Sequence, residues 1–227
     1  MMRIFRRLLQ ILVSIGLIEL FSQIAVSAKI GSSVPAFFSA THCFAPLIGV
    51  ISGVSGSSLL CVIRTIVKII FIGHTSNILL VYNIPSFCAA LYFALLGITL
   101  DETSSRSIVR KVAACLIPVT CMILFIAHPT GLHAFPYTFY WFIPIITALM
   151  PHSSFFLHAL GSTFTAHAVG SVLWLYCKSI PAAAWLGLIP VVFVERIVFA
   201  LGMVVCYYAA RSIKTYMIVP LLRYSRI

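Results

Sequence analysis

Apolar residues run along this chain in windows of 15 to 25 positions, and polar residues are confined to the short stretches between them. The windows lack the period-2 alternation of a lipid-facing barrel strand, so they predict helices. A backbone surrounded by hydrocarbon must satisfy its own hydrogen bonds within each segment, which points the same way. The first window covers 8–28, behind Arg3, Arg6 and Arg7. It contains Glu19 and is long for a leader, so we read it as a retained first helix despite the passable cleavage triplet Val26-Ser27-Ala28.

The second region, 36–73, stays mostly apolar for about 38 residues, too long for one crossing of about 20 residues and barely enough for two. Gly49, Gly53 and Gly56 lie in its middle among serines. They form either the bend between two crossings or a small-residue face for close helix packing. Further windows cover 77–100, which Pro85 interrupts, then 112–127, 137–150, 154–176 and 185–210. Asp101, Glu102, Arg106, Arg110 and Lys111 make the most polar loop, and the aromatic run 135–142 reads as an interfacial anchor. The window 137–150 is short, so it is either a tilted short helix or a re-entrant piece.

Composition turns these windows into a membrane protein. Of 227 residues, 62% are hydrophobic and only 8% charged, with a mean hydropathy of +1.13. About a quarter of a soluble domain is charged, so lipid must be the solvent here. The expected fold is all-α, a polytopic transmembrane helical bundle of 6–8 spans forming one integral membrane domain over 1–227, with no soluble domain. The net charge of +11 sits at helix ends and short loops, where it reports topology rather than nucleic acid. It places both termini in the cytoplasm, and the expected location is a bacterial plasma membrane. An even span count follows. Eight spans put the basic loop 106–111 inside; six put it outside.

Ionisable groups at membrane depth cost several kcal/mol and usually face protein or water. Glu19, Arg64, Glu195 and Arg196 are candidates to line a polar cavity in which the arginines meet a carboxylate or phosphate on a solute. Alternatively they pair with each other, and Arg64 and Lys68 snorkel to headgroups. Thr163, His167, Ser171 and Trp174 share one helical face, where a solute with a heteroaromatic part could stack and hydrogen-bond. Ordinary interhelical polar packing is the competing reading. The seven histidines include no pair at metal-ligand spacing on one helix, and the seven cysteines include no CxxC. No metal or cofactor is expected. Gly53-Val-Ser-Gly56 matches the string around the nucleophile of rhomboid-like proteases, but the accompanying motifs are missing. No P-loop or metalloprotease motif occurs either, and no reaction can be assigned.

The chain resembles the substrate-binding membrane components of energy-coupling-factor vitamin transporters. The resemblance is carried by size, hydrophobicity, the Gly/Ser-rich stretch Phe44-Ala-Pro-Leu-Ile-Gly-Val-Ile-Ser-Gly53, and Ile84-Pro85 opening a helix that continues through Ala94. The AxxxA docking element usual in that family's first helix is absent from 8–28; the nearby AxxxA is Ala36 to Ala40. The resemblance implies about six helices and a binding subunit for a small vitamin-like or anionic solute. Its partners would be a membrane coupling protein and cytoplasmic ATPases. The alternative function is a non-catalytic membrane protein that assembles with or stabilises a larger complex.

Overall fold

A computed structural model describes residues 41–72, 77–96, 105–151 and 154–213, together with Val13, Gly16, Leu17 and Leu20. The expected first span is otherwise outside the described residues, and Glu19 with it. All regular structure among the described residues is helical. α1 is Thr41–Phe44, continued by a 3-10 turn Ala45–Leu47 and by α2, Ile48–Ile72. α3 is Asn77–Leu96, α4 Ser105–Ala127 and α5 Pro129–His133; a 3-10 segment Phe135–Trp141 then leads into α6, Phe142–Leu149. α7 is Phe155–Cys177, α8 Ala182–Gly187 and α9 Ile189–Ile213.

Gly53 breaks α2. Its backbone lies at φ 64°, ψ −169°, a region that essentially only glycine occupies. The chain reverses there, because Ala45 and Ile48 share a buried cluster with Leu60. Along a straight helix Ala45 and Leu60 would stand about 22 Å apart. The Ser57 hydroxyl donates to the Gly53 carbonyl at 2.9 Å and closes the first turn of the outgoing limb. A Cβ on Gly49 would run into the Ala90 carbonyl, and one on Gly56 would run into the Ser52 side chain. The glycine-rich stretch is therefore both things at once: Gly53 is the bend and Gly49 the close-packing face. Both serve this chain's own hairpin.

Neighbouring side chains fix the direction of each helix. The incoming limb, 41–52, packs on α9, where His42 meets Phe199 and Cys43 lies beside Gly202. The outgoing limb, 54–72, runs antiparallel to α3: Gly49, near the bend, meets Ala90 and Ala94, while Arg64, further out, lies with Asn83. Leu96 clusters with Ala114 and Cys88 lies near Cys121, so α4 reverses α3. Phe125 packs on Trp141 at 5.2 Å and Ala114 clusters with Ala148, so 135–149 reverses α4. Gly161 then meets Thr147 and His167 meets Tyr137, so α7 reverses again. Phe155 stacks on Tyr207 at 4.2 Å and Thr163 reaches the Arg196 carbonyl at 3.5 Å, which makes α9 antiparallel to α7. Successive described passes thus alternate in direction from residue 41 to residue 213.

Two sequence expectations need correction. Arg106, Arg110 and Lys111 do not form a loop, because α4 already begins at Ser105. Hydropathy starts a window where charges stop, but Arg and Lys are good helix formers and extend the helix past that edge. Nor is the aromatic run simply an interfacial anchor. Tyr137 and Trp141, one helical turn apart, are buried against Phe125 and Trp185, and only Phe135, Phe139 and Phe142 point outward. Pro85 lies inside α3 without ending it.

Apolar side chains cover the outside and polar ones fill parts of the inside. Ile123 and Val205 are 64% and 67% exposed, while Thr165 and Arg196 are 0% and 3% exposed. Among the described residues, three segments are long and apolar enough to cross a membrane: Thr41–Ile66, Ser107–Ala127 and Ile189–Ser212. The first is the one that folds back at Gly53, so it consists of two shorter limbs. Asn83–Leu96 and Phe135–Leu149 are shorter apolar helices.

Candidate polar centre

α9 carries the buried ion pair. Arg196 Nη2 lies 3.4 Å from Glu195 Oε2, with the two side chains 4% and 12% exposed. The guanidinium sits over the Phe199 ring, 4.9 Å from its centroid, in a cation–π contact. His42 from α1, and Tyr137 and His167 from the facing side of the bundle, lie within Coulombic reach of Arg196. The His167 ring packs on Tyr137 at 5.3 Å. Neither Glu195 Oε1 nor His167 Nε2 meets a hydrogen-bond partner among the described residues. Buried polar atoms are normally satisfied, so this centre holds spare hydrogen-bonding capacity in a low-dielectric setting.

The polar face of α7 divides. Thr163 donates to the Leu160 carbonyl at 2.9 Å and approaches the Arg196 carbonyl. Ser171 lies beside the Tyr137 hydroxyl. Both therefore belong to the same centre as His167. Trp174 instead packs, partly buried, against the aromatic cluster of Phe125, Tyr137, Trp141 and Trp185, and fills the core.

The expected single cavity lined by Glu19, Arg64, Glu195 and Arg196 does not form among the described residues. Arg64, 9% exposed, lines a separate cavity of about 20 Å³ between the outgoing limb and α3, with Ser57, Cys61, Asn83 and Ser86. His42 lies within Coulombic reach of both arginines and so stands between the two places. Glu19 and the Lys68 side chain are outside the described residues.

A wider groove of about 410 Å³ opens where α4 and α7 end, lined by His128, Thr130, Tyr176, Cys177, Lys178 and neighbours. The His128 Nδ1 accepts from the Thr130 amide at 3.2 Å, so the neutral ring carries its proton on Nε2. Sequence reasoning did not single out this groove, nor Asn83 or Tyr137. The sequence signal for Asn83 was an amide inside an apolar window; for His128 it was the Pro-Thr-Gly that follows. Ser55 of the protease-like string is exposed beside the hairpin bend. Among the described residues no three His, Cys, Asp or Glu side chains gather as a metal site.

Compared with protein-family models, with curated proteins and with solved structures, the chain matches none.

Proposed function

We propose that this chain is an integral membrane protein of eight helical passes that binds a small anionic solute for transport, with Arg196, Glu195 and His167 as the solute-contacting groups. One observation carries the reading. A guanidinium that is 3% exposed lies inside a 25-residue apolar helix, beside a carboxylate oxygen and an imidazole nitrogen with unmet hydrogen bonds. Charge at that depth is costly, and a buried pair rarely repays its desolvation, so such groups are kept where they handle a ligand. Arg196 presents a planar fork suited to a carboxylate or phosphate, and His167 adds a second hydrogen-bonding position.

The eight-pass reading rests on the alternating helix directions and on the basic residues. It adds the first window, 8–28, to seven alternating passes, keeps Arg3, Arg6 and Arg7 on the same side as Arg211, and places 106–111 with them. We assign that side to the cytoplasm of a bacterial cell. Eight passes depart from the roughly six of the vitamin-transporter components that the chain resembles. From that family the reading keeps only the division of labour, in which one chain binds solute and separate membrane and ATPase partners supply energy. The absence of any nucleotide-binding motif in this chain suits such a division.

The polar centre is closed over by its own side chains, so solute access requires α9 and the Gly53 hairpin to part. The test is native mass spectrometry of protein released gently from its own membranes. The expected result is one anionic small molecule per chain, lost in Arg196→Met while helical circular dichroism is unchanged. Protein without such a molecule, or an Arg196→Met variant that keeps it, would sink the proposal.

A further inference from the structure

We propose that the groove where α4 and α7 end holds the headgroup of one anionic phospholipid, a phosphate diester without an ammonium group, at a site separate from the Arg196 centre. The groove measures about 410 Å³, and His128, Thr130, Tyr176, Lys178 and Ser179 give it its polar lining. Its level along the helices points to a lipid rather than a dissolved solute. The apolar segment Ser107–Ala127 stops one residue before His128, so the groove opens where hydrocarbon gives way to headgroups. Just inside that level Ile123, Leu124 and Ile126 are exposed along α4. The Tyr176 hydroxyl donates to the Leu124 carbonyl at 2.9 Å and ties α7 to α4 there. Acyl chains can lie on this apolar strip while the phosphate enters the groove.

The sign of the guest follows from the lining. Lys178 is exposed and forms no ion pair among the described residues. His128 Nδ1 accepts from the Thr130 amide, which leaves the ring's other nitrogen as a donor. Thr130 and Ser179 add hydroxyls. The carboxyl ends of α4 and α7 bring partial negative charge, but the carbonyls of Leu124, Phe125 and Trp174 are already engaged, by the Tyr176 hydroxyl and by the amides of His128 and Lys178. The chain has four carboxylates: Glu19, Asp101, Glu102 and Glu195. None lines the groove among the described residues; Glu195 belongs to the Arg196 centre, and Asp101 and Glu102 precede α4, whose far end forms the groove. A choline or ethanolamine headgroup would therefore bring an ammonium to a lysine with no acid to receive it, whereas an anionic headgroup meets only attraction.

The inference rests on the membrane placement of the chain and not on the Arg196 reading. The full chain, purified in detergent from the membrane fraction, is titrated with phosphatidylglycerol, phosphatidylcholine or inorganic phosphate and followed by native mass spectrometry. One phosphatidylglycerol per chain should persist at collision energies that strip phosphatidylcholine, and inorganic phosphate alone should not be retained. Lys178→Gln, at an exposed position, should weaken that lipid's affinity by about tenfold through loss of a charge-assisted hydrogen bond. Lys178→Arg should keep it, and Arg110→Gln, at the other end of α4, should leave it unchanged. Equal retention of the two lipids, retention of phosphate in place of lipid, or an affinity that Lys178→Gln leaves intact would overturn the proposal. So would an equal loss in Arg110→Gln, which would mean that any basic residue serves. A chain recovered in the soluble fraction would remove the membrane placement itself. The lipid should survive Arg196→Met, and its mass separates it from any small solute, so the two readings fail or succeed independently.

Discussion

Replacing Gly49 by alanine adds one carbon where the hairpin lies against the backbone of α3. That carbon would overlap the Ala90 carbonyl oxygen and stand 2.8 Å from the Ala90 carbonyl carbon and 3.0 Å from the Ala94 nitrogen. Ordinary contact begins at 3.4 Å, so α3 must retreat from the hairpin by more than a few tenths of an ångström. The obstacle is helix backbone, which cannot rotate away as a side chain would. Overpacking costs about 1–3 kcal/mol, and rigid backbone argues for the upper end, about 3. Alanine regains about 1 kcal/mol of helix propensity. The net loss is about 2 kcal/mol, or a midpoint lower by about 4–8 °C for a chain of this length. Thermal unfolding in detergent, followed by circular dichroism, measures it. The identity of the obstacle supplies a control: shrinking Ala90 to glycine leaves the carbonyl in place and should not rescue Gly49→Ala. A Gly49→Ala midpoint at or above that of the unsubstituted chain, or rescue by Ala90→Gly, would refute the close approach.

Gly53→Ala tests the bend without a steric neighbour, because among the described residues no atom outside its own stretch of backbone lies within 4 Å of the added Cβ. At φ 64° the cost is conformational, about 1–3 kcal/mol, and should appear as a lower unfolding midpoint with no change in helical content. A midpoint within error of the unsubstituted chain would mean that residue 53 does not turn the chain. The eight-pass topology predicts that, in a background without other cysteines, Arg110→Cys resists a membrane-impermeant maleimide in intact cells. A retained Cys177, exposed at the other end of the bundle, should react from outside. Labelling of both positions from outside would instead match a six-pass chain.

The sequence alone determined the helical secondary structure and the apolar segments long enough to cross a membrane. Long apolar windows and 8% charge leave few options besides helices in lipid, because an unpaired backbone in hydrocarbon is too costly. It also determined which ionisable residues sit deep, since Arg64, Glu195 and Arg196 stand out in apolar surroundings. Whether Glu195 and Arg196 would pair stayed open, because neighbours one residue apart on a helix do not face each other; the structure brings Arg196 Nη2 to 3.4 Å from Glu195 Oε2. What it left open was every question of partnership between distant segments. Gly53 as a bend, rather than one more small residue in a long helix, depends on whether Leu60 returns to Ala45, a contact invisible to local pattern. Tyr137 and Trp141 as core, rather than interface, depend on Phe125 and Trp185 arriving from other helices. Arg64 and Arg196 looked like walls of one cavity because the sequence gives depth but not azimuth. Only the packing of α3 against the outgoing limb, and of α7 against α9, divides them into two polar places. Hydropathy is a sum over single residues and is legible along the chain; a site is a coincidence of side chains from separate helices, and only tertiary packing decides it.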